Sequence, residues 1–150
     1  MLPEYACAVI EDARGWLLLQ LRPPGARYAP ALLTCFGGRI DDAETPERCL
    51  ERELAEELAW RPPGFSRCCE LWQGDRFIAV FFRTALGPDE RPQASERGHV
   101  AVSAPWAALP GLPVSPWHRA VLAAVAHGQP RVDLRSEADR SGTRPGSRDG

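Results

Sequence analysis

Lysine and asparagine are absent from this 150-residue chain, and all 18 of its basic residues are arginine. Without lysine there is no phosphate-binding loop of the G-x-x-x-x-G-K type and no amine for Schiff-base chemistry. The five cysteines (Cys7, Cys35, Cys49, Cys68, Cys69) form no C-x-x-C pair, so the spacing of a structural zinc site or a thioredoxin-like motif is missing. Buried, reduced thiols are the expectation. No apolar run approaches the ~18 residues of a membrane span. A basic excess is lacking too: the formal net charge of -2 argues against nucleic-acid binding through bulk electrostatics. The N-terminal run MLPEYACAVIED has neither the basic region nor the cleavage site of a signal peptide. These absences predict a soluble cytoplasmic protein with no membrane or nucleic-acid partner.

What is present suffices for one domain with a single core. Tyr5–Ile10 and Trp16–Arg22 read as a hairpin, and a short strand at Leu32–Phe36 leads into Gly37-Gly38. Ser66–Gln73 and Arg76–Leu86 form a second hairpin turned at Gly74-Asp75. The continuous apolar run FIAVFF within it predicts a strand buried on both faces. A polar loop, 87–98, precedes a strand at His99–Ser103. A helix is predicted at Pro116–His127, with Trp117, Ala120, Val121 and Ala124 on its apolar side and Gly128 as its stop. Residues 129–150 carry almost no core material and predict a disordered tail behind a domain of residues 1–128. Several strands with two helices of different character indicate an α/β layered fold.

Gly37–Trp60, GGRIDDAETPERCLERELAEELAW, holds eight of the chain's 20 acidic residues. Thr45 suits an N-cap and Pro46 the first helical position, so a helix is predicted from Pro46 to Leu58, stopped by the RPPG run at Arg61–Gly64. Glu57 lies four residues and Glu56 three residues beyond Glu53, which puts three carboxylates on one face. Leu50, Leu54 and Leu58 make a separate buried stripe. Like charges at this spacing cost roughly 0.2–0.5 kcal/mol per pair on an exposed helix. The three carboxylates therefore either point freely into water or share a cation. Hard oxygen ligands converging on one point suit magnesium or manganese rather than zinc or copper.

An E-x-x-E-E run by itself is usually a solvated face. The surrounding frame points elsewhere. Gly38, Glu44, Arg52, Glu53, Leu54, Glu56 and Glu57 fit the template G-x5-E-x7-R-E-U-x-E-E, with U a bulky aliphatic residue. A chance match is on the order of one in ten thousand or rarer. The sequence thus resembles the Nudix hydrolase family, whose signature box is that template followed by x-G-U. The resemblance covers roughly residues 5–128 and looks particularly like the MutT-type branch. It implies an α-β-α sandwich with a mixed central sheet. It also implies hydrolysis of a nucleoside diphosphate linked to a group X, most often a nucleoside triphosphate, sometimes oxidised. Nucleotide-sugar or dinucleoside-polyphosphate hydrolysis, or a non-catalytic nucleotide-binding domain, are the alternatives.

By the same resemblance Glu53, Glu56 and Glu57 would bind Mg2+ (or Mn2+), with the Gly37 carbonyl as a further ligand. Arg52 and Glu44 would brace the carboxylates, and one of the helix glutamates or a carboxylate from the later loop would deprotonate the attacking water. A pyrophosphate repels hydroxide, so its charge must first be neutralised, which a bound divalent ion does. Glu96, in ASERGHVAVS, is the further metal ligand expected from the polar loop, with Glu90 as its competitor. Arg22 and Arg27 would contact phosphate. Gly38 joins them as a substrate contact, and Phe36, with Trp117, could stack on a base. Members of the branch that read oxidised guanine often use an asparagine before the last helix, and this chain has none. His99, His118 and His127 have no metal-site spacing and take no part in the expected mechanism. A small nucleotide is the implied partner; a homodimer is compatible with the family but compelled by nothing in the sequence. Ala59 replaces the glycine of the box. In the left-handed geometry a glycine would adopt there, alanine costs roughly 1 kcal/mol, and Trp60-Arg61-Pro62-Pro63 offers another way to end the helix.

Overall fold

The structure is a computed structural model that describes residues 1–96 and 98–135. Its chain order is β1 (Tyr5–Glu11), β2 (Leu17–Leu21), β3 (Leu33–Thr34), β4 (Phe36–Arg39), α1 (Pro46–Leu58), β5 (Ser66–Gln73), β6 (Arg76–Ala85), β7 (Val100–Ala104), a 3-10 turn (Trp106–Gly111), α2 (Pro116–Ala126) and β8 (Arg131–Leu134). The strands form one mixed sheet in the order β3-β2-β1-β6-β5-β8, with β4 added to β1 and β7 to β2. The β1–β6 and β5–β8 pairs are parallel. The other pairs are antiparallel.

Alternation along β1 divides the interior into two cores, one on each face of the sheet, where a single core was expected. Cys7 and Val9 face a cluster shared with Val121 and Leu122 of α2. Ala6, Ala8 and Ile10 face a cluster shared with Leu50 and Leu54 of α1. The sheet is therefore sandwiched between the two helices, as the resemblance implied. In β6 all of Phe77–Phe82 is buried, because the strand is covered on both faces. Four of the five cysteines are buried and all are free. Among the described residues no helix is long and apolar enough to cross a membrane.

Three further expectations are corrected. The strand at Leu32–Phe36 is two short strands, and Gly37-Gly38 lies inside β4 rather than after a strand. Gly37 has φ +148°, and a Cβ there would meet the Ala6 carbonyl oxygen at 2.2 Å, so only glycine lets β4 approach β1 this closely. On α2 the buried stripe is His118, Val121, Leu122 and Val125, with Ala124 beside it, so His118 takes the place given to Trp117. Finally, residues 131–134 of the expected tail form strand β8, parallel to β5. Val132 and Leu134 alternate onto the α2-side core, and the Arg131 guanidinium lies 4.5 Å above the Trp72 ring. Residues 136–150 of the expected tail lie outside the described residues.

Helix α1 starts as its sequence dictates. The Thr45 side chain accepts a hydrogen bond from the Arg48 amide at 3.2 Å, and Pro46 follows it. It ends at Ala59, which does adopt the left-handed conformation (φ 48°, ψ 39°) and donates its N–H to the Ala55 carbonyl at 3.0 Å. Ala59→Gly should therefore raise the free energy of unfolding by about 1 kcal/mol. Urea denaturation of the two proteins checks this; an unchanged or lower midpoint would show that the turn carries no strain.

Candidate active site

Arg52 organises the acidic helix. Its guanidinium grips Glu44 with two bonds, Nε to Oε2 at 2.8 Å and Nη2 to Oε1 at 3.0 Å. Nη1 donates to Glu53 Oε1 at 2.9 Å and stands 3.6 Å from Glu56 Oε2. Nη2 also reaches the Arg39 carbonyl at 3.2 Å and Asp41 Oδ2 at 3.4 Å. The bidentate bond from Arg52 holds the Glu44 carboxyl down at about 2, and Glu44 in return raises the guanidinium pKa. Glu44 also accepts from the Asp41 amide at 3.0 Å, which folds the loop before the helix onto the same hub.

The three helix carboxylates differ. Glu57 is only 3% exposed. Gln20 Nε2 donates to its Oε2 at 3.1 Å and the Gly37 amide to its Oε1 at 3.2 Å. Burial, followed by the neighbouring Glu53, pushes its pKa up. Glu53 is half-buried and is also raised, chiefly by burial. Its carboxylate lies directly on Gly38, where a Cβ would meet the carboxyl carbon at 2.4 Å, so Gly38 is the gap the carboxylate occupies. Glu56 is 53% exposed and the least committed of the three.

The polar loop reaches this cluster through Ser95. The Ser95 amide donates to the Glu57 carbonyl at 2.7 Å, and the Ser95 hydroxyl donates to the Glu56 carbonyl. Glu96, the next residue, adds its charge to the forces raising Glu57. Glu90 is placed otherwise: its carboxylate accepts from Trp60 Nε1 and from the Gly87 amide, both at 2.7 Å, and so holds the loop in shape. Of the two loop carboxylates, Glu90 is engaged with Trp60 and Gly87, and Glu96 is the one whose charge acts on Glu57.

Among the described residues no three carboxylate, imidazole or thiol groups converge on one point. The expected convergence is replaced by a shared face, because Glu53 is turned to Arg52, and Glu57 to Gln20 and Gly37. The donor set nevertheless fits a hard divalent cation. All its candidate groups are oxygens, and a cation would stabilise the charged forms of Glu53 and Glu57, which burial opposes.

A cavity of about 220 Å³ opens beside this face. Gly37 and Gly38 line it near the helix, while Arg22, Tyr28, Trp117 and His118 line it elsewhere. It is smaller than the ~300–1,000 Å³ of sites that enclose a drug-sized ligand, so it suits one ring system. Arg22 is tied down, with Nε donating to the Tyr28 carbonyl at 2.7 Å. The Tyr28 and Trp117 rings are 5.9 Å apart. Arg27 is exposed and does not line the cavity. Phe36 is 0% exposed and packs in the α1-side core, so it cannot stack on a ligand. Strand alternation explains it: Phe36 pairs with Ala8, whose side chain faces α1.

Sequence reasoning missed Gln20, Ser95, Tyr28 and His118. For His118 a signal existed, the spacing of residues 118, 121, 122 and 125 on one helical face. For Gln20 and Ser95 there was none, since each acts on a helix residue far away in the chain.

The family model of the NUDIX domain matches residues 1–125. With this fold and this carboxylate face, the chain belongs to the Nudix family. An 8-oxo-dGTP diphosphatase of Haemophilus influenzae is 38% identical to it over 55 residues, which are 37% of this chain and 40% of that protein. The match thus spans less than half the length of the curated relative. Among solved structures, a MutT protein from Methanosarcina mazei Go1 is similar with a TM-score of 0.69 and 14% identity, over 93% of this chain and 94% of its own. A MutT Nudix hydrolase from Burkholderia pseudomallei gives a TM-score of 0.67 and 21% identity, over 82% and 98%. At these identities the structural likeness speaks for the fold.

Burial, and then the nearby Arg22 guanidinium, lower the His118 pKa from 6.5 to about 4. As pH falls, the unfolded chain takes up this proton first, so stability present at pH 7 is lost between 6.5 and 4 and levels off below. That loss is at most about 3 kcal/mol. Urea denaturation at pH 7 and 4.5 should show a smaller acid loss in His118→Gln than in the wild type. Equal losses would contradict the assignment.

Proposed function

We propose that the protein is a magnesium-dependent pyrophosphohydrolase that converts a nucleoside triphosphate to the monophosphate and pyrophosphate. The observation that carries this reading is the Arg52 clamp on Glu44 and Glu53 beside a ring-sized cavity. Glu53, Glu56, Glu57, Glu96 and the Gly37 carbonyl would hold the metal, for which Mn2+ can substitute. When bound, the metal neutralises phosphate charge and acts as a Lewis acid. Arg52 keeps Glu53 and Glu56 on the side of the helix that faces substrate, and Glu44 keeps Arg52 in place. Glu56, the most exposed helix carboxylate, accepts the proton of the attacking water. Arg22 and Trp117 receive the nucleoside, with Gly37 and Gly38 leaving room for the phosphates. The similarity to an 8-oxo-dGTP diphosphatase supports a nucleoside triphosphate as X-linked substrate. A non-catalytic binding domain would have no use for carboxylates whose burial opposes their charge.

The test is pyrophosphate release from a panel of nucleotides in Mg2+, in EDTA, and with Glu56→Gln. The wild type should act on at least one triphosphate only with metal, and the variant should lose roughly 100-fold or more in kcat. No release from any nucleotide, or an equally active variant, would overturn the reading.

A further inference from the structure

His118 has one of its ring nitrogens assigned by the backbone. The Cys35 amide, between β3 and β4, donates to His118 Nδ1 at 3.0 Å. An amide N–H can only donate, so Nδ1 presents its lone pair, and in the neutral ring the proton sits on Nε2. Burial and the Arg22 guanidinium both oppose the imidazolium, which leaves this tautomer alone. The ring is also fixed in direction, edge-on to Phe81 with centroids 5.6 Å apart and planes at 77°.

Nε2 has no hydrogen-bond partner among the described residues. Nor is it sealed away: among the described residues the fully buried polar side-chain atoms lacking a partner are His99 Nδ1 and Ser115 Oγ. His118 lines the cavity, so its Nε2–H opens into it. The walls include Leu71, Ile78, Ala79 and Phe81, which offer no side-chain acceptor, and the polar side chains of Gln20, Thr34 and Tyr28 on the same cavity make no hydrogen bond to the ring. Arg22, whose charge acts on the ring, brings a second donor and no acceptor. A ligand that displaces water here must bring an acceptor, because an amino group would set N–H against N–H.

We propose that His118 is a specificity-determining residue whose Nε2–H reads a carbonyl oxygen on the substrate base. The protein then favours 6-oxopurines (hypoxanthine, guanine) over the 6-aminopurine adenine. Trp117 and Tyr28, at 5.9 Å, flank the same space as the aromatic faces. The inference rests on the nucleotide reading of the cavity and adds which base edge enters it. Sites built around one hydrogen bond discriminate strongly against analogues that cannot make it.

Inosine and adenosine nucleotides test this, since they differ by a carbonyl for an amino group at one ring position. Two readouts are needed: KM and kcat for the triphosphates with Mg2+, and binding of the monophosphates followed by tryptophan fluorescence. The wild type should prefer inosine roughly 10- to 100-fold, mostly in KM. His118→Phe should bring the ratio near one. His118→Gln, whose amide can accept from Cys35 and donate into the cavity, should restore most of it. Preferential binding of inosine monophosphate without hydrolysis of any triphosphate would uphold this inference and sink the hydrolase reading. No preference in the wild type, or a preference that survives in His118→Phe, would overturn it. The wild-type comparison decides even where the phenylalanine variant fails to fold.

Discussion

The guanidinium of Arg52 is the interaction on which the rest of the site depends. Three carboxylates on one helical face repel one another, and two of them are buried or half-buried, which compounds the cost. Arg52 offsets this locally, and its planar fork lets it do so for Glu44, Glu53 and Glu56 at once. A lysine, with a single point charge, could not bind Glu44 in two places while also reaching Glu53. The hub also fixes the loop before α1, since Asp41, Glu44 and the Arg39 carbonyl all meet it.

Around that hub the fold brings the remaining parts from distant stretches of chain. Strand β2 supplies Gln20 and β4 supplies the Gly37 amide, and together they hold Glu57 in the protein interior. The last turn of α1 ends early at Ala59. The carbonyls of Glu56 and Glu57 are then free of the helix's own bonds, and Ser95 takes both of them. That docking brings Glu96, the next residue, within electrostatic reach of Glu57. Glycine is required at two points of close approach: at Gly37 where β4 meets β1, and at Gly38 where the Glu53 carboxylate lies. The same two residues open the way from the acidic face to the cavity. One face therefore carries charge and an adjoining space carries rings, the division of labour a nucleotide requires.

Much of this was legible in the sequence wherever the physics is local. Thr45, Pro46 and the leucine spacing pointed to α1 at Pro46–Leu58, and the family resemblance carried by the template implied the Arg52–Glu44 pair. Ala59 was legible as a departure, and its left-handed φ shows that the chain accepts the strain instead of ending the helix another way. Non-local facts were hidden. Phe36 reads as an aromatic next to the site, but pairing of β4 with β1 turns it toward the α1 core. The RVDL run at 131–134 reads as tail because a strand of four residues shows its value only beside β5. His118 reads as an isolated histidine until the Cys35 amide gives its ring a direction.

The central claim is that this clamped set of carboxylates is a divalent-cation site. Titration of Mn2+, with the free ion followed by electron paramagnetic resonance, tests it without any assumption about substrate. Saturable binding is expected of the wild type, weakened roughly tenfold or more in Glu57→Gln. A free-ion signal that grows identically for both proteins and for buffer alone would contradict it.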